Sequence, residues 1–161
     1  MDHLDIICSF LDHKDKGVDI ESCDPQGRTL LHQAFHAASY NTAAALLSRV
    51  ADIYAKVETF TADATTTGST AATIGGDWQA IHFAVLSGSP RAVQLCYGAD
   101  ATASTCHKQT PLHYACRSGN EETVQLLLNQ VPGSRSINIG EETDDHGWTS
   151  LHFAAAGKEG Q

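Results

Sequence analysis

Short apolar runs alternate with polar turns along this chain, and one such run recurs. Four segments place an apolar residue, a histidine and then a small apolar stretch in the same order. They are Thr29-Leu30-Leu31-His32-Gln33-Ala34, Gln79-Ala80-Ile81-His82-Phe83-Ala84, Thr110-Pro111-Leu112-His113-Tyr114-Ala115 and Thr149-Ser150-Leu151-His152-Phe153-Ala154. The histidines stand at 32, 82, 113 and 152, so the steps between them are 50, 31 and 39 residues. Self-similarity of this kind outranks any single residue, because stacked units bury faces that no unit could bury alone.

The third unit shows how such a segment folds. Thr110 is suited to cap a helix, since its hydroxyl can accept a hydrogen bond from an orphan backbone N–H. Pro111 falls at the first helical position, where its missing donor costs nothing. Leu112, Tyr114 and Ala115 begin a short helix that ends near Arg117-Ser118-Gly119, with Gly119 supplying the left-handed conformation that stops it. A second helix runs from Glu121 to Asn129, with Val124, Leu127 and Leu128 at the spacing of one buried face. Glu121 and Glu122 sit in its first turn, where the helix dipole favours negative charge. The first unit repeats the scheme with Ala43, Leu46 and Leu47 on its second helix, and the second unit has Val93 and Leu95. Residues 2–13 read as a lone helix, with Leu4, Ile7 and Leu11 on one face. Helices this short cannot stand alone. The pattern therefore predicts an all-α fold of antiparallel helix pairs packed side by side.

The third unit closely resembles an ankyrin repeat. The likeness rests on Thr110-Pro111-Leu112-His113-x-Ala, then Gly119-Asn120-x-Glu122, Val124 and Leu126-Leu127-Leu128. That resemblance implies a solenoid of helix-turn-helix units joined by hairpin-like loops, with a period of about 33 residues. It implies a structural role for Thr29, His32, His82, Thr110, Pro111, His113, Gly119, Thr149 and His152, with the Thr and His in a local hydrogen-bond network. The other units depart from the pattern. Leu30, Ala80 and Ser150 stand where the motif has proline, and Gln79 stands where it has threonine, so capping of the second unit is expected to be weaker. The expected division is a half-repeat over 1–23, repeats over 24–57, 77–104 and 105–143, and a partial repeat over 144–161. Half-repeats at both ends suggest a fragment of a longer chain. The long first step is assigned to an insertion over 58–76, rich in Thr, Ala and Gly, that is expected to form a mobile loop.

Composition narrows the partner classes. A formal charge of −9, with ten Lys and Arg in no cluster, argues against nucleic acid, whose binding releases counterions through grouped cations. A protein of basic or mixed charge is easier to accommodate. No run approaches the roughly 18 apolar residues of a membrane span, and direct membrane insertion is not expected. The five cysteines, Cys8, Cys23, Cys96, Cys106 and Cys116, are odd in number and match no disulfide framework. They are read as reduced thiols in an intracellular, reducing compartment.

Catalysis is not indicated. His32 and His36 share a helix face as a zinc pair would, but no H-E-x-x-H arrangement accompanies them. No nucleophile elbow or phosphate loop is present either. The sequence thus predicts no catalytic residue, metal site, cofactor or small-molecule substrate. The expected function is protein–protein interaction through a concave face of hairpin tips and first helices. The alternative is a recruiting or regulatory segment of a larger enzyme or channel. Carried over from the family, the exposed positions are Gln26, Arg28 and His36 in unit one, and Trp78, Leu86 and Ser87 in unit two. Unit three contributes His107, Gln109, Arg117 and Ser118, and unit four Asp145, His146 and Trp148. Trp78, Trp148, Arg28 and Arg117 are the favoured anchors, and the competing reading, which the sequence favours for the two indoles, is that they pack along neighbouring hairpins and support the stack. Nine histidines could also offset much of the negative charge below about pH 6.

Overall fold

The structure is a computed structural model and describes residues 6–9, 19–57, 76–129 and 141–156. Seven helices have defined ends within them: α1 Leu30–His36, α2 Tyr40–Ser48, α3 Ala80–Leu86, α4 Pro90–Leu95, α5 Pro111–Ser118, α6 Glu121–Asn129 and α7 Ser150–Ala156. Residues 6–9 are helical as well. The insertion expected over 58–76 lies outside the described residues apart from Gly76, as does most of the lone helix expected over 2–13. Among the described residues extended pairing is confined to three isolated bridges, Cys23 with Thr29, Val57 with Trp78 and Thr143 with Thr149. None of these helices is long and apolar enough to cross a membrane.

The helices form two rows. α1, α3, α5 and α7 pack in sequence as an inner row, and α2, α4 and α6 as an outer row. α1, α3 and α5 each also pack on the outer helix that follows. The core runs between the rows, with Leu31, Phe35, Leu46, Ile81, Phe83, Val85, Val93, Leu112 and Leu127 all essentially closed to solvent. Leu128 is a correction to the sequence reading. It is 38% exposed, because the innermost line of α6 runs through Thr123 and Leu127, four residues apart, rather than through Leu128. Gly119 takes the left-handed conformation expected of it, at φ 69°.

The recurring histidine joins each inner helix to its surroundings. The backbone N–H of Thr29, Gln79, Thr110 or Thr149 donates to Nδ1 of the histidine three residues on, at 3.1 Å in every case. The threonine hydroxyls lie 3.0, 2.8 and 2.7 Å from the same nitrogen at His32, His113 and His152. Gln79 keeps the contact without a hydroxyl because the donor is backbone, so the second unit retains its cap. An Nδ1 that accepts an N–H must be unprotonated, which places the proton of the neutral ring on Nε2. That Nε2 donates out of the unit: His82 to the Ala103 carbonyl at 3.2 Å and His113 to the Trp148 carbonyl at 3.2 Å. His32 Nε2 has no partner of hydrogen-bond geometry, although the Ala55 carbonyl favours its charged form. Burial dominates both His32 and His82 and pushes each pKa down to about 4. These two rings therefore cannot take part in any offset of charge near pH 6.

An aromatic series runs along the same line. The residue after each motif histidine packs on the histidine of the preceding unit: Phe83 on His32 at 5.2 Å, Tyr114 on His82 at 6.1 Å and Phe153 on His113 at 5.7 Å between ring centroids. Trp78 fits into this series, 5.5 Å from His82, 5.4 Å from Phe83 and 4.9 Å from Tyr114. Trp148 packs on His152 and Phe153 in the same way. Tyr114 of the following unit covers Trp78. No equivalent ring covers Trp148 among the described residues, and the exposures are 5% and 43%.

Two outcomes follow for stability. Trp78→Ala should cost about 3–5 kcal/mol, as truncation of a buried aromatic does, and Trp148→Ala about 1–2 kcal/mol; urea unfolding of both variants measures the difference, and equal losses would contradict the packing. Histidines whose folded pKa lies below the ordinary 6.5 stabilise the fold fully above pH 6.5. That contribution is lost as pH falls toward 4, up to about 3 kcal/mol for each of His32 and His82. The urea midpoint should drop steeply between pH 6.5 and 4, and His82→Asn should make the slope shallower. A midpoint constant over that range would refute the neutral, buried rings.

Candidate functional site

The hairpins ahead of the inner helices reuse one local chemistry. Asp24 Oδ1 accepts from the N–H groups of Gln26 and Arg28 at 2.8 and 2.9 Å, while Gly27 N–H donates to the Asp24 carbonyl at 2.9 Å. Asp144 repeats the turn, accepting from His146 and Trp148 at 2.9 Å each, with Gly147 N–H on its carbonyl at 3.0 Å. Gly27 and Gly147 take φ of 71° and 77°, a region open to glycine at little cost. The hairpin of unit three has Thr105 and Lys108 in these places. Lys108 adopts φ 57°, and the Thr105 hydroxyl accepts from Gln109 N–H at 3.3 Å.

Burial alone would raise the pKa of Asp24 and Asp144, but the donors around them win. Arg28, through its backbone and side chain, and Gln26 hold Asp24 below the usual carboxylate range. The Trp148 N–H, the Gln109 amide and the His146 N–H do the same for Asp144. Asp24 is thus engaged by its own turn and by Gln33 of α1, and Asp144 by its own turn and by Gln109 of the preceding unit.

Neighbouring hairpins are tied by a repeated backbone bond. Cys106 N–H donates to the Gly76 carbonyl at 3.0 Å, and Asp145 N–H donates to the His107 carbonyl at 3.2 Å. The second pair sits one unit on from the first. The Asp145 carboxylate also lies 3.6 Å from His107 Nδ1 and 3.7 Å from Lys108 Nζ, contacts worth little at such exposure.

The inner helices add a second row. Four residues after each motif histidine come His36, Leu86, Arg117 and Ala156, and all four are exposed. The sequence reading named the first three and missed Ala156, although the same offset from His152 marks it. Ser87 and Ser118 turn their hydroxyls back onto the Ala84 and Ala115 carbonyls of their own helices, at 2.7 and 2.8 Å.

Two favoured anchors are corrected by the structure. Trp78 is buried by Tyr114 and cannot be offered to a partner without opening the stack. Arg28 is committed to its own turn, its Nε 2.9 Å from Asp24 Oδ2 with the side chain only 15% exposed. Gln26 is half-buried beside it. His107 and Asp145 face each other across two hairpins. Gln109, Arg117, His146 and Trp148 converge, together with Asp144, Phe153 and Ala156, on one groove of about 490 Å³ between α5, α7 and the fourth hairpin. Gln109 Nε2 donates to Asp144 Oδ2 at 3.2 Å at its edge.

The described residues contain no group of three or more His, Cys, Asp or Glu placed to hold a metal ion. Burial pushes the Cys96 thiol up to about 12 and raises Cys116 as well, so neither is a thiolate nucleophile at neutral pH.

Comparison with known proteins agrees with this architecture. The family model described as ankyrin repeats (3 copies) matches residues 81–160. The transient receptor potential cation channel subfamily A member 1 of Homo sapiens is 35% identical over 77 residues, which is 47% of this chain and 7% of the channel. Alpha-latrotoxin-Lhe1a of Latrodectus hesperus is 40% identical over 82 residues, 49% of this chain and 5% of the toxin. This chain therefore matches only a small part of the length of either relative. Residues 81–160 are thus ankyrin repeats, and the paired helix rows and the histidine caps carry the same architecture back to Thr29.

Proposed function

We propose that this chain is a non-catalytic scaffold that binds another protein through the concave side of its stack. The observation that carries the reading is the row His36, Leu86, Arg117 and Ala156. Its positions are equivalent, all are exposed, and the neighbouring motif histidine at three of them is shut inside the core. Apart from an edge contact of His36 with Phe83 at 6.4 Å between ring centroids, side chains on such a row point away from the core, while the hairpin bonds hold their spacing. A preformed surface saves ordering entropy on binding. Ankyrin repeats are generally protein-interaction modules, which supports the same reading. The division into repeats 24–57, 77–104 and 105–143 belongs to this proposal. The free state of the described cysteines supports a reducing, intracellular setting.

A second reading makes this segment the recruiting or regulatory part of a larger enzyme or channel. It is favoured by a relative that is a cation channel, of which the matched stretch is a small fraction. The complete transcript decides it: membrane spans or a catalytic domain in the same reading frame would favour this second reading.

The concave-face proposal is tested with the combined variant His36→Ala, Leu86→Ala, Arg117→Ala. Cross-linked partners of wild type and variant are quantified by mass spectrometry. A discrete set should fall at least about tenfold, as loss of a hot spot implies. The melting temperature should stay within about 2 °C, because exposed substitutions away from packing cost little. Unchanged capture by the variant would remove the concave face from partner binding.

A further inference from the structure

The groove between α5 and α7 has a chemistry of its own. Arg117 is exposed on α5 and has no hydrogen-bond or ion-pair partner among the described residues. The other described arginines are engaged: Arg28 holds Asp24, Arg91 donates to Asn41 at 2.9 Å, and Arg49 has a partner too. Asp144 shares the groove but is directed at other groups: its Oδ1 takes two backbone N–H groups, and its Oδ2 takes Gln109 and lies 3.8 Å from His146 Nδ1. Asp145, the next carboxylate along, faces His107 and Lys108. Beside this guanidinium lies apolar surface: Trp148 at 43% exposure, with Phe153 and Ala156 lining the same space.

We infer that this groove receives a partner segment in which an Asp or Glu stands next to a large apolar residue. The inference rests on the concave-face reading and names the chemistry of the segment. The carboxylate meets Arg117 in a charge-assisted, two-pronged hydrogen bond. The apolar neighbour covers Trp148 and Phe153, where aromatic surface with a polar tip gives much binding for little ordering. A groove of about 490 Å³ is the size that takes one or two side chains. Charge complementarity also limits the segment. The chain carries −9 overall, so a long acidic run is repelled, while a single carboxylate within a Debye length of Arg117, about 8 Å, gains from it. The fitting segment is therefore one acidic residue in an otherwise neutral or basic chain. The groove is open, so an internal side chain rather than a chain terminus is assigned as the source of the carboxylate.

The test is selection of a random 12-residue peptide library displayed on phage against three immobilised forms of this chain: wild type, Arg117→Glu and Trp148→Ala. Circular dichroism confirms that each is folded. Wild type should enrich peptides with an Asp or Glu beside Leu, Met, Phe or Trp. A synthetic consensus peptide should lose at least about tenfold in affinity to Arg117→Glu, and a free-C-terminal version should bind no better than an amidated one. Selection on Arg117→Glu should turn the acidic position into Lys or Arg. Enriched peptides without the acidic–apolar pair would overturn the inference. So would a consensus whose affinity changes less than twofold in Arg117→Glu, or one that needs a free C-terminal carboxylate. If peptides bind but respond to His36→Ala and Leu86→Ala instead, the groove assignment falls and the concave-face reading stands. If wild type enriches no peptide, the groove assignment falls, and the combined-variant capture experiment judges the concave face independently.

Discussion

A neutral imidazole at the foot of each inner helix is the constraint on which the remainder of this molecule hangs. One nitrogen is consumed within the unit by the backbone N–H three residues earlier. The other is thereby obliged to carry the proton, and at His82 and His113 it reaches a carbonyl of the next hairpin. The aromatic residue of the next unit packs against the same ring nearly at right angles. One side chain thus stops a helix from fraying, fixes the neighbouring turn and seats the neighbouring helix. At His32 and His82, closed to solvent, a charged imidazole would need two acceptors and water, which this setting does not supply. At His82 and His113 the uncharged ring thus pairs both of its nitrogens, one within the unit and one beyond it.

The hairpins and inner helices divide labour in consequence. Positioning is done by backbone groups and closed side chains: the aspartate turns, the bonds between successive hairpins and the aromatic series. The residues four after each histidine are exposed and, apart from the edge contact of His36 with Phe83, lightly used by the stack, and they differ accordingly, as histidine, leucine, arginine and alanine. A surface of this kind can change its chemistry one unit at a time, because each unit touches only its neighbours.

Local features were legible in the sequence because local forces produce them. The Thr110 cap, Pro111, the stop at Gly119 and the histidine spacing all act within a few residues, and each appears where the residues indicate. What failed was non-local. Trp78 and Trp148 hold equivalent positions and have the same identity, yet one is buried and the other half open. The difference lies in Tyr114, 36 residues further along the chain from Trp78, and no local pattern points to it. Arg28 looked free because its aspartate partner is engaged through a turn whose geometry the spacing does not show. The buried line on α6 was misread by one residue at Leu128, since a short amphipathic helix fits two neighbouring faces almost equally well. The groove was half visible: four of its residues were named, while Asp144, Phe153 and Ala156 emerge only when the fourth hairpin is folded against α5.

The pairing of Val57 with Trp78 has a separate consequence. Val57 N–H donates to the Trp78 carbonyl at 2.8 Å, and Asp77 N–H donates to the Val57 carbonyl at 3.0 Å. The two ends of the intervening segment are pinned together at its base, so the repeat on either side registers a fixed junction and not the amount of polypeptide beyond it. Doubling the length of a closed loop adds only about 0.6 kcal/mol of closure entropy. Foreign sequence could be spliced in at this point as cargo on a latched neck, leaving the neighbouring repeats unaware of its size.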